Sequence, residues 1–147
     1  MATEFERMLF EEELVSLEEL PEARRWTVER DKDVPLGITA LMHSIKNPAE
    51  LYLARLRWPD YFKAPSLKFL NRQTGSDRDS TAWPMVRGFR PTSFDTCVSY
   101  TLEGHTLHPE WSNSPTTAYP KVDRPMQYAL LRLQGEMDMY YERRWGT

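Results

Sequence analysis

The sequence predicts an α+β fold: an N-terminal helix, a four-stranded antiparallel meander, an irregular segment carrying the lone cysteine, and a C-terminal helix. Three observations predict it. Apolar residues recur at helical spacing near both ends of the chain. The middle holds short runs with a period of two, of which residues 51–58 are the clearest. The links between those runs are too short for crossover connections, which leaves antiparallel neighbours.

The elements follow in order. Residues 4–20 read as an amphipathic helix, with Phe5, Met8, Leu9, Leu14 or Val15, and Leu17 as its apolar stripe between glutamates. Thr3 is its expected N-cap and Pro21 its end. Strands are expected at 26–30, 36–45, 51–58 and 66–70, with Asn47-Pro48 turning the chain into the third. In that third strand Tyr52, Ala54, Leu56 and Trp58 share one face, and Arg55 and Arg57 the other. Pro59 and Pro65 bracket a stiff corner, because neither has an N–H to continue a ladder. Residues 71–80, NRQTGSDRDS, read as a mobile loop. Residues 83–120 are too aromatic for disorder and read as ordered irregular structure around one short strand at 96–102. Asp123 is the expected cap of a second helix, with Pro125 in its first turn. Its stripe is Met126, Ala129, Leu130, Leu133, Met137 and Tyr140 or Tyr141. Gly135 weakens that helix by about 1 kcal/mol relative to alanine.

Composition bounds the function. At 147 residues the chain reads as a single domain spanning 1–147, and 40% hydrophobic against 28% charged residues reads as globular and soluble. No apolar run approaches a membrane span, and no leader is visible, so no membrane partner is expected. One cysteine makes no internal disulfide, which suits a reducing cytoplasm. A net charge of −3 argues against a general nucleic-acid binder. The acid is concentrated: Glu4, Glu6, Glu11, Glu12, Glu13, Glu18, Glu19 and Glu22 face Arg7 alone within the first 22 residues. That run is a solvated helix face or a docking surface for a basic partner. No cofactor signature is expected.

The order of elements resembles the ubiquitin-conjugating enzyme (UBC-like) family. Trp58-Pro59 stands for the family's Phe-Pro step, Asp60-Tyr61 for its corner, and Pro65-Ser66-Leu67-Lys68-Phe69 for its Pro-x-Val-x-Phe strand. Cys97 and then Trp111-Ser112-Asn113-Ser114-Pro115 follow in the family's order, before the helix from about residue 124. The match covers residues 4–134 and is similar to divergent bacterial members. The family's His-Pro-Asn triplet is absent, and Arg87-Gly88-Phe89 lies near its place. The interval from Cys97 to Trp111 is several residues longer than the family's, and the first helix is acidic where members are usually basic.

The resemblance implies a transferase. Cys97 would accept a ubiquitin-like protein as a thioester from an activating enzyme and pass it to an amine on a protein target. A thiolate suits this, being both nucleophile and leaving group. With the family's Asn missing, His105 and His108 are the candidate donors or bases, since imidazole titrates near neutral pH. Asn113 is a third candidate by amide type. Other readings stand beside these. A lone cysteine often fills a core, and histidines often brace loops. Cys97, His105 and His108 form C-x7-H-x2-H, which fits no common zinc pattern, and no Cys-His peptidase signature is present. The chain could also be an inactive binding or scaffold module for a ubiquitin-like protein.

Overall fold

The computed structural model describes residues 2–147. Helix α1 runs Glu4–Ser16 and opens on a reciprocal cap. The Thr3 hydroxyl accepts the Glu6 N–H at 3.1 Å, and the Glu6 carboxylate accepts the Thr3 N–H at 2.8 Å. Past Ser16 the chain tightens into two 3-10 turns, Leu17–Glu19 and Pro21–Arg25, so Pro21 opens a turn as well as closing the helix.

The strands are β1 (Thr27–Arg30), β2 (Gly37–Met42), β3 (Tyr52–Arg57) and β4 (Ser66–Leu70). They form one antiparallel sheet in sequence order, with Ala40 opposite Ala54 and Ala54 opposite Phe69. Strand β2 stops short of the expected 45. The carbonyl of His43 turns instead to Gln134, whose side chain donates to it at 3.0 Å. Alternation in β3 holds: Tyr52, Ala54 and Leu56 are buried, while Arg55 and Arg57 lie on the outer face. There Arg55 pairs with Asp77 and Arg57 with Asp31. The Asp77 contact brings the polar 71–80 segment against the sheet, and Asn71 and Asp79 tie that segment to itself.

After the sheet come a 3-10 turn, Ser80–Ala82, and the two-residue strands β5 (Phe89–Arg90) and β6 (Asp95–Thr96), which pair with each other. Helix α2 (Leu102–Leu107) and a 3-10 turn, Pro109–Asn113, follow. The expected strand at 96–102 is therefore corrected. The ladder holds Asp95 and Thr96 and ends at the Cys97 N–H, and the Thr101 hydroxyl then caps α2 at Gly104.

Helix α3 (Pro125–Tyr140) buries Met126, Ala129, Leu130, Leu133 and Met137, as its periodicity predicts. These residues join the inner sheet face in one hydrophobic core with Phe10, Trp58, Tyr61 and Trp83. Gly135 is exposed, with open space around the position of a missing Cβ. The last residues return to the 83–85 segment, where Met85 donates to Arg143 at 2.7 Å and Trp145 to Trp83 at 3.0 Å.

Two expectations about the helices are corrected. Asp123 does not cap α3: Arg124 sits at the N-cap and makes no side-chain cap bond. The free N–H groups of Met126 and Gln127 instead donate to the Glu13 carboxylate, at 3.3 and 3.1 Å. A carboxylate brought from another helix satisfies orphan donors at the positive end of α3. Consequently α1 turns Glu6, Phe10, Glu13 and Leu17 inward, and leaves Phe5, Met8 and Val15 outside, 60%, 62% and 73% exposed. No described helix is long and apolar enough to cross a membrane.

Candidate functional site

Cys97 is a free, half-buried thiol at the exit of the β5–β6 hairpin. Its backbone is held from several sides. The Cys97 N–H donates to the Gly88 carbonyl at 2.7 Å, extending the hairpin pairing by one residue. Thr96 is fully buried, and its hydroxyl donates to the Leu67 carbonyl of β4 at 3.1 Å. The Thr101 hydroxyl donates to the Thr96 carbonyl at 2.6 Å. Asp95 and Cys97, on either side of buried Thr96, are half-buried.

Two glycines permit this arrangement. Gly88 has φ of +90°, and a Cβ there would lie 2.6 Å from the Val98 side chain and 3.0 Å from the Cys97 carbonyl oxygen. A Cβ on Gly104 would lie 2.0 Å from the Val98 carbonyl oxygen, so only glycine lets α2 approach the loop after Cys97. Phe94, at φ of 56°, takes the left-handed conformation that closes the hairpin. Its ring meets Trp83 edge-on, and its carbonyl accepts Lys68 Nζ.

Arg90 is the register partner of Asp95 in the hairpin. Its guanidinium grips the Asp95 carboxylate through two hydrogen bonds of 2.7 Å. Arg90 is held above its ordinary value chiefly by that hydrogen bond, against its own desolvation and with help from the Asp95 charge. Beside the hairpin an open groove of about 240 Å³ is lined by residues 85–89, Pro91, Glu142 and Trp145. A wider cleft, about 540 Å³, lies elsewhere, between the 71–73 turn and Arg144, and Cys97 lines neither of the two.

The histidines occupy the neighbouring α2 region. His105 Nε2 donates to the Ser99 carbonyl at 2.7 Å, two residues past Cys97, so that nitrogen carries the proton. Its ring meets Trp111 and Tyr119 edge-on. His108 stacks on Trp111 with centroids 4.4 Å apart, and its Nδ1 pairs with Glu110 at 3.0 Å. Asn113 is exposed at the end of the following turn. Thus His105 braces the loop that carries Cys97, while His108 is bound into the Trp111 cluster. Among the described residues, no group of three or more His, Cys, Asp or Glu side chains is arranged to hold a metal ion.

Sequence reasoning missed the pairing of Arg90 with Asp95 and the groove residues Glu142 and Trp145. The first pair had a signal: Arg90 and Asp95 flank Pro91-Thr92-Ser93-Phe94, a short connection compatible with a hairpin. Glu142 and Trp145 had none, because their return to residues 83–85 is a long-range pairing. No protein-family model, curated protein or solved structure matches the chain.

Proposed function

We propose that this chain is a divergent UBC-like conjugating enzyme, which carries a ubiquitin-like protein as a thioester on Cys97 and passes it to an amine. The observation that carries the proposal is the position of Cys97: a half-buried free thiol on a clamped backbone at the exit of the β5–β6 hairpin. The element order supports it, with the helix, the meander and the buried Trp58–Tyr61 corner all preceding the cysteine.

The chemistry has two transfers. The Cys97 thiolate attacks the carbonyl carbon of the activating enzyme's thioester, a carbon–sulfur bond forms, and the activating enzyme's cysteine leaves as thiolate. An amine of the protein target then attacks the new thioester; Cys97 leaves as thiolate, and the nitrogen gives up a proton. His105, with Nε2–H committed to Ser99, keeps Nδ1 as an acceptor for the amine's proton. His108 and Asn113 are further candidates for stabilising the oxyanion.

A second reading is an inactive binding or scaffold module for a ubiquitin-like protein. The engagement of both histidines with Ser99 and Glu110 favours it. One experiment separates the two. With ATP, the activating enzyme and its modifier, the transferase acquires a DTT-labile adduct that added lysine discharges, and Cys97→Ala acquires none. A binding module acquires no adduct, although the activating enzyme is visibly charged, and that result overturns the proposal.

A further inference from the structure

The four-stranded sheet has two edges, and the chain treats them differently. On β4 the Leu67 N–H donates to the Glu103 carboxylate at 3.0 Å, and the Leu67 carbonyl accepts the Thr96 hydroxyl at 3.1 Å. Side chains from later elements thus take up the outward main-chain groups of that edge. On β1 the corresponding groups are open. The Asp31 N–H donates to the Gly37 carbonyl at 2.8 Å, which sets the phase of the β1–β2 ladder. With Asp31 bonded to Gly37, alternation turns Thr27 and Glu29 toward β2 and the main-chain N–H and C=O of Val28 and Arg30 away from it. Among the described residues, no turn, loop or side chain takes up those outward groups. An unpaired row of this kind is a template for another strand.

A groove of about 250 Å³ lies beside the same edge, between the end of α1 and β1, with apolar walls from Leu14, Leu17, Ala23, Trp26 and Val28. Val28 stands opposite Ala40 and Arg30 opposite Ile38, and both partners are fully buried. The side chains of Val28 and Arg30 are therefore on the inner face of the sheet, where the groove is. Residues paired across a ladder share a face, so a strand added to β1 would set the side chains opposite Val28 and Arg30 along the groove. The residue between them would stand on the outer face, opposite Glu29. Arg30 is committed to Glu11, whereas Glu29 is exposed and, among the described residues, joins no ion pair. We infer that β1 takes an extended segment of a partner protein by strand addition, with apolar residues at alternate positions on the groove and a lysine or arginine opposite Glu29. The main-chain groups of Val28 and Arg30 hold the segment, and the groove decides which of its faces turns inward. A second copy of the chain would continue the sheet with its own α1 on the same side, bringing two glutamate-rich helices together. The inference stands apart from Cys97, because it uses none of the residues around it.

The test is a titration of the isotope-labelled full chain with a peptide of about nine residues that alternates valine and lysine. The expected result is saturable amide shifts at residues 27–30 and in the groove. Hydrogen exchange reads the main-chain bonds themselves: the Val28 and Arg30 amides exchange fast in the free chain and slow down with the peptide bound. A peptide N-methylated at its valines, which lacks the donors that would meet β1, loses binding. Glu29→Lys weakens it about fivefold, by setting like charges opposite each other, and keeps the wild-type melting temperature because Glu29 is exposed. Four results would overturn the inference: no saturable shift, Val28 and Arg30 amides no slower with peptide than without, equal binding of the N-methylated or of a valine–glutamate peptide, or a dimer of the free chain in sedimentation that protects those two amides.

Discussion

Helices α1 and α3 both carry apolar residues at helical spacing, yet α3 buries most of its stripe while α1 leaves much of its own in solvent. In α3, Met126, Leu130, Leu133 and Met137 are fully buried. In α1, Phe5, Met8 and Val15 stay in solvent while Glu6 and Glu13 are 7% and 1% exposed. The difference lies in what each carboxylate finds. Glu13 meets the Tyr61 hydroxyl and two backbone donors at the start of α3. Glu6 meets the backbone N–H groups of Thr3 and Tyr61, each at 2.8 Å. Burying a charge is costly unless its hydrogen bonds are supplied, and here other elements supply them. Periodicity gives the pitch of a helix, but buried polar partners can choose its phase.

Breaking each helix at its own anchor sharpens the contrast. Leu130→Ala should cost about 3 kcal/mol in urea unfolding, by cavity formation. Glu13→Ala should cost about 2 kcal/mol, because it orphans the donors of Met126, Gln127 and Tyr61. If Glu13→Ala proved neutral, the anchoring of α3 by α1 would be wrong.

The two buried glutamates should answer pH in opposite senses. Glu6 sits below its ordinary value, chiefly through the Thr3 N–H and then that of Tyr61. Its stabilisation is present above the ordinary carboxylate range and is lost as pH falls through the lowered value. Glu13 sits above its ordinary value because burial outweighs its hydrogen bonds. Its contribution is full below the ordinary range and declines as pH rises through the raised value. Stability–pH curves of Glu6→Gln and Glu13→Gln, each against wild type, should therefore deviate in opposite directions. Deviations of the same sign would contradict this assignment.

The smallest effect belongs to the outer face of α1. Met8→Gln should change stability by less than about 0.5 kcal/mol, since the side chain is 62% exposed. A loss like that of Leu130→Ala would mean that Met8 is part of the core.

Much of the fold was legible in the sequence because it rests on local patterns. The alternation through β3, the Thr3 cap and the α3 stripe depend on residues a few positions apart. The phase of α1, the capping of α3 by Glu13 and the return of Trp145 to Trp83 are long-range and left no local trace. The short helix α2 was hidden for another reason. Its LEGHTL segment carries a glycine and too few turns to declare a period, and Thr101 caps it only because the hairpin delivers Thr101 there. In the candidate site, the sequence singled out Cys97 as the one thiol, but the Gly88 carbonyl that holds its N–H comes from across a hairpin whose strands are two residues long.

The central claim is that Cys97 forms an acyl bond to a modifier's C-terminus. The direct measurement is peptide mass spectrometry of the non-reduced protein after incubation with charged activating enzyme. The account predicts the modifier's terminal residue on the Cys97 peptide, released by DTT. A modifier found only on lysine side chains, or a Cys97 peptide left unmodified beside a charged activating enzyme, would contradict it.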